Sequence, residues 1–71
     1  MDIEWTDGFK INVSVDVEGN VVISANKEGL LSLASQLTTL ANTEDKGAHI
    51  HYDEYNSLED GSSAMIIEKI E

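Results

Sequence analysis

The 71-residue sequence contains no cysteine, no proline and no arginine. Without cysteine there is no disulfide framework and no thiolate for a zinc or redox site, a composition that fits a reducing compartment. Without proline, and without a Pro/Gly/Ser tract or a long charge block, no segment reads as a linker or a disordered tail. Basic residues are scarce: four lysines stand against fourteen acids, a formal charge of −10. Such a surface repels phosphate and anionic lipid, which argues against nucleic acid and against membranes as partners. No apolar run approaches membrane-spanning length, and residues 1–5 are acidic where an export signal is basic. The triplet Asn12-Val13-Ser14 matches a glycosylation acceptor, but nothing in the sequence directs the chain out of the cell. The expected location is cytoplasmic.

The 41% of residues that are apolar suit a globular chain. At this length residues 1–71 make one small domain, with a thin core that hides roughly 60% of the unfolded surface. Residues 9–17 alternate, with Ile11, Val13, Val15 and Val17 on one side and Lys10, Asn12, Ser14 and Asp16 on the other, which is a strand period. Glu18-Gly19-Asn20 is a tight-turn signal, and residues 21–25 read as the returning strand with Val21, Ile23 and Ala25 inward. Asn26 is a good N-cap and Glu28 puts negative charge in the first helical turn. Leu30, Leu33, Leu37 and Leu40 then recur at helical spacing, with Ala34 and Ala41 beside them and Ser32, Ser35, Gln36 and Thr39 mostly opposite. The spacing ends at Asn42. Residues 48–53 alternate again, Ala48, Ile50 and Tyr52 against His49, His51 and Asp53. Residues 54–61 are too polar for a strand, and Ser57-Leu58-Glu59-Asp60 has the spacing of a capping box, predicting one helical turn closed by Gly61. Residues 63–70 form the last strand, apolar on both faces near Met65, Ile66 and Ile67.

The order is ββαββ, and the expected fold is α+β: one helix packed on one face of a four-stranded, mainly antiparallel sheet. The expected core is Ile11, Val13, Val15, Val17, Val21, Ile23, Leu30, Leu33, Leu37, Leu40, Ile50, Tyr52 and Ile66, so that Leu37→Ala should cost about 2–5 kcal/mol. The second face of the sheet is left to polar residues together with Val22, Met65 and Ile67. An uncovered apolar face on a thin core predicts a weak two-fold homodimer that joins two such faces or edges, opposed by the net charge and strengthened by salt.

Three patterns bear on chemistry. His49 and His51 lie two apart on a strand and point the same way, with Asp53 extending the row, and imidazole plus carboxylate is a metal-ligand set. A solvent- or partner-facing strand explains the same pattern without a metal, and a third histidine or a cysteine is missing. Residues 53–57 lack the alternating ligands and central glycine of a calcium loop. For catalysis there is no cysteine nucleophile, no recognisable serine elbow, no arginine clamp and no phosphate-binding glycine loop. Charge is the third pattern. Residues 44–60 hold six acids against Lys46 alone, and Tyr52 and Tyr55, as exposed tyrosines of this acidic stretch, add the amphipathic area that protein interfaces use. An acidic loop keeps a small domain soluble; it also attracts a basic protein and speeds its capture.

The string from Gly47 to Ser62, His49-Ile50-His51-Tyr52-Asp53 followed by Asn56-Ser57-Leu58-Glu59 and Gly61, resembles a family of bacterial immunity proteins, family thirty-two of the polymorphic toxin systems. Residues 26–34 and 65–69 share the resemblance, which spans about residues 26–69 and is most specific in the H-x-H-x-D-x-x-N-S-L-E-x-G-S string. The family's motif falls on His49, His51, Asp53, Asn56, Ser57, Leu58, Glu59 and Gly61. Ala64 departs from it, where a larger or acidic residue is expected. The resemblance implies a small cytosolic antidote that binds and blocks a cognate toxin protein; with no catalytic constellation in the sequence, neither catalysis nor a cofactor is expected. The residues expected to meet a basic toxin are Asp53, Glu54, Tyr55, Glu59 and Asp60, with His49 and His51 beside them. The alternative is a small metal- or ligand-binding domain using His49, His51 and Asp53.

Overall fold

The computed structural model describes residues 2–71; Met1, the first residue of the run read above for an export signal, lies outside them. Two strands open the chain, β1 (Ile11–Val15) and β2 (Val21–Ala25), antiparallel with Val13 opposite Ile23. Their turn is built by Asp16, whose Oδ1 accepts the backbone N–H of Glu18 and of Asn20, both at 2.9 Å, while Gly19 takes φ 88°. The Asn20 backbone N–H, helped by its side-chain amide, holds the Asp16 carboxyl below the ordinary aspartate range.

The helix α1 (Lys27–Asn42) begins as the sequence predicts, with Asn26 as N-cap accepting from the Gly29 N–H at 2.8 Å. The same side chain accepts from the Lys10 N–H and donates to the Gly8 carbonyl, so one residue joins the helix start to the entry of β1. The last helical turn carries no basic residue. Lys69, far along the chain, supplies the charge there instead, donating from Nζ to the carbonyls of Ala41 at 2.9 Å and Thr43 at 2.5 Å. Beyond the helix lie β3 (His49–Tyr52) and β4 (Met65–Glu68), antiparallel with Ile50 opposite Ile67.

The expected four-stranded sheet is instead two separate two-stranded sheets. The physical reason lies on the outer edge of β1. The Glu59 N–H donates to the Ile11 carbonyl at 2.9 Å and the Ser63 N–H to the Val13 carbonyl at 2.8 Å, while Ser62 Oγ accepts from the Val13 N–H at 3.2 Å. Residues 59 to 63 thus advance four positions while β1 advances two. That mismatch joins the two halves of the molecule by hydrogen bonds but prevents a ladder from running across.

The core is also smaller than expected. Ile11, Val13, Leu33, Leu40, Ile50 and Tyr52 are buried as predicted, and Leu58 joins them. Val15, Val17, Val21, Ile23, Leu30, Leu37 and Ile66 are exposed. Val15, Val21 and Ile23 do share a face with Ile11 and Val13, but α1 covers only the end of that face nearest Ala25 and Ile11. In β4 the phase is opposite to the one expected: Met65 and Ile67 pack toward the core and Ile66 faces out. On the helix the buried stripe is Gly29, Ser32, Leu33, Gln36 and Leu40, turned away from Leu30 and Leu37.

Segment 3–9, in which the sequence suggests no element before the strand expected from Phe9, explains that rotation. The Thr6 N–H donates to Ser32 Oγ, and Gln36 Nε2 donates to the Glu4 carbonyl, each at 2.8 Å. Ile3, Trp5 and Phe9 pack against the core, Trp5 stacked on Phe9 and edge-on to Tyr52. Two polar residues on α1 are buried because the incoming chain satisfies them.

A pair of substitutions checks this face. Leu37 is 42% exposed and Leu33 is buried, so Leu33→Ala should lose about 2–5 kcal/mol. Leu37→Ala, contrary to the expectation from spacing, should lose less than about 1 kcal/mol. Urea unfolding of the two variants decides between the faces.

Candidate functional site

The sequence places its candidate residues on β3 and the loop that follows. In β3, Ile50 and Tyr52 are buried while His49 and His51 face outward, as alternation requires. Across the hairpin His51 pairs with Ile66 and His49 with Glu68, so the outer face carries two imidazoles, one carboxylate and one exposed isoleucine. Ile66 is the residue that sequence reasoning missed here, because Met65-Ile66-Ile67 is apolar throughout and offers no alternation from which to read a phase.

Loop 53–61 is built by its own side chains. The Asp53 carbonyl accepts from the N–H groups of Asn56, Ser57 and Leu58. Asp53 Oδ1 accepts from the N–H of Tyr55 at 2.9 Å and of Asn56 at 3.0 Å, closing an Asx turn. Asn56 returns the contact: its Oδ1 accepts from the Asp53 N–H and from the Ser57 hydroxyl, and its Nδ2 donates to the His51 carbonyl. Glu54 Oε2 accepts the Gly61 N–H at 2.9 Å, drawing the two ends of the loop together. Leu58 plugs the loop into the core, and Gly61 sits at φ 86°, a conformation open to glycine. The predicted helical turn capped by Ser57 is therefore a series of turns organised from Asp53.

This architecture divides the candidate residues. Asp53, Asn56, Ser57, Leu58 and Gly61 shape the loop, and Glu54 clamps it. Tyr55 is 91% exposed in the loop and Glu59 and Asp60 are exposed further along it, whereas Tyr52, the other tyrosine expected to offer interface area, is fully buried. Among the described residues neither the Glu59 nor the Asp60 carboxylate is engaged by another side chain or N–H, whereas Glu59 uses its backbone to hold β1. The expected row of His49, His51 and Asp53 is not assembled as a ligand set, since Asp53 turns one carboxylate oxygen back onto its own loop. No group of three or more His, Cys, Asp or Glu with metal-binding geometry occurs among the described residues. Nor is any helix among them long and apolar enough to cross a membrane.

Recognition of the family rests on these same segments. The sequence model of the family Immunity protein 32 matches residues 20–70, from the hairpin turn to the end of the chain's last strand and beyond. The chain belongs to that family. No curated protein and no solved structure matches it. Within the matched span lie β2, α1, both histidines, the self-built loop and β4; the whole of β1 and of segment 3–9 lies outside it.

Proposed function

We propose that the protein neutralises a cognate, basic toxin by binding it, without catalysis, through loop 53–61 and the outward face of β3. The observation that carries the reading is the division of labour within the loop: the internal hydrogen bonds of Asp53, Glu54 and Asn56 stiffen it and leave Tyr55, Glu59 and Asp60 presented to solvent. A preorganised loop loses little conformational freedom on binding, which favours affinity. Carboxylates on a chain of net charge −10 steer a basic partner into encounter. A fully exposed tyrosine supplies the amphipathic anchor that hydrated rim charges do not. His49, His51 and Ile66 extend the contact along β3 and β4.

The test separates the presenting residues from the building ones. Glu59→Gln with Asp60→Asn should slow association with the cognate toxin by roughly three- to ten-fold at low ionic strength, an effect that fades as salt rises. Tyr55→Ala should instead quicken dissociation by on the order of 30-fold. Stopped-flow association and surface-immobilised dissociation read the two effects separately, and neither variant should change the urea midpoint by much. Unchanged binding and unchanged protection of toxin-expressing cells in the triple variant would mean that the loop serves solubility and that the interface lies elsewhere.

A further inference from the structure

The other half of the molecule holds an unpaired strand edge. The Asn26 N–H donates to the Lys10 carbonyl and the Asp16 N–H to the Asn20 carbonyl. In an antiparallel ladder hydrogen-bonded pairs alternate with non-bonded ones, so Asn12/Ser24 and Ser14/Val22 are the bonded pairs between these ends. The N–H and C=O groups of Val21, Ile23 and Ala25 therefore point away from β1, where no strand lies among the described residues. β2 carries no charged residue, no proline and no bulge, the devices that usually blunt such an edge. On its helix-facing side Val21 is 64% and Ile23 is 43% exposed, and Val15 stands open next to them.

We infer that this edge pairs with the same edge of a second copy of the chain, about a two-fold axis at Ile23. The alternation just described makes the edge self-complementary: Ile23 faces its own copy, and Val21 faces Ala25 of the other chain, with all outward N–H and C=O groups satisfied. The result is a four-stranded sheet, β1-β2-β2-β1, on whose helix-facing side Ile23 packs beside its own copy and Val21 beside Ala25 of the other chain. The same register brings Lys27 at the helix start of each copy to the Glu18-Gly19 turn of the other, opposite Asp16 and Glu18, a local charge match within a chain that otherwise repels itself. Of the two routes to a homodimer that the sequence suggests, face or edge, the edge is the one left open, since Met65 and Ile67 face the core. A strand of five residues spans only about 17 Å. The contact is at the small end of specific interfaces, and the pair is in equilibrium with monomer.

Sedimentation equilibrium from about 10 μM to about 1 mM protein should show reversible dimerisation. The dimer should tighten several-fold as salt rises from about 50 to about 500 mM, because screening relieves repulsion between two chains of like charge. That salt dependence is opposite in sign to the one expected for toxin capture, so the two readings fail independently. Amide exchange locates the contact: the Ile23 N–H should exchange freely in dilute protein and gain at least ten-fold protection at high concentration, while Val22 and Ser24 are protected throughout. Ile23→Lys should abolish dimerisation, and Lys27→Glu should weaken it more than Lys46→Glu, which changes the net charge equally but lies away from the edge. A chain that stays monomeric at about 1 mM and high salt, or a dimer in which the Ile23 N–H gains no protection, overturns the inference.

Discussion

Replacing Tyr52 by alanine is expected to remove about 3–5 kcal/mol of stability. For a chain of this length the whole of it is roughly 4–10 kcal/mol, so the variant should be largely unfolded at physiological temperature. Tyr52 has 0% of its surface exposed and packs edge-on against Trp5, with their ring centroids 6.2 Å apart. Its hydroxyl donates to Gln36 Oε1 at 2.7 Å, and Gln36 Nε2 in turn donates to the Glu4 carbonyl at 2.8 Å. One side chain therefore links β3, α1 and segment 3–9. Tyr52→Phe isolates the polar part: it keeps the ring and leaves Gln36 Oε1 buried without a donor, at a cost of about 1–3 kcal/mol. Burial pushes the Tyr52 phenol above its ordinary value. The resulting stability is present below about pH 10 and is lost as the pH rises through the higher folded-state value. Urea unfolding at neutral and at alkaline pH should show this loss in the wild type and not in Tyr52→Phe.

Gly29→Ala should also destabilise, by about 1–3 kcal/mol through overpacking, although a glycine-to-alanine change inside a helix ordinarily gains up to about 1 kcal/mol. The sign reverses because Gly29 has no room. A Cβ there would stand 2.6 Å from the Lys10 carbonyl oxygen, 2.9 Å from Ile11 Cγ1 and 3.1 Å from Ala25 Cβ. The nearest of these is backbone, and Ile11 is fully buried, so neither can yield without moving the hairpin. Gly29→Val should prevent folding. Circular dichroism melts of the two variants provide the check, and a Gly29→Ala protein as stable as the wild type would show that α1 does not seat against β1 and β2 as described.

The loop's construction shows how much of the site was legible. Residue spacing in 49–52 was enough to place His49 and His51 outward, because alternation in a strand is a purely local property. In the loop the family resemblance took in Asp53, Asn56, Ser57, Leu58, Glu59 and Gly61 together, while the residues read by themselves suggested a helical turn capped by Ser57. Which of those residues build and which present was not legible, because Asp53 and Glu54 look the same in sequence as Glu59 and Asp60. The difference arises from backbone N–H groups that only the folded loop brings within reach.

Local rules determined the rest of what the sequence alone could yield: the turn at Gly19, the Asn26 cap, the helix from there to Asn42, the four strands and their order along the chain. Each of these depends on near neighbours through turn conformation, capping or side-chain period. Tertiary structure decided which side of each element is inside and how far its cover extends. Leu30 and Leu37 have the spacing of a core stripe, yet Ser32 and Gln36 are buried in their place because segment 3–9 brings backbone partners for them. Val15, Val21 and Ile23 alternate as core residues do, yet α1 ends its contact with the hairpin short of them. Ile66 and Ile67 are interchangeable by composition, and only the register against Ile50 and His51 separates them. Whether two hairpins merge into one sheet depended on the count of residues between Glu59 and Ser63 set against β1. A period records that a face exists; burial requires something to cover it, and that comes from parts of the chain distant in sequence.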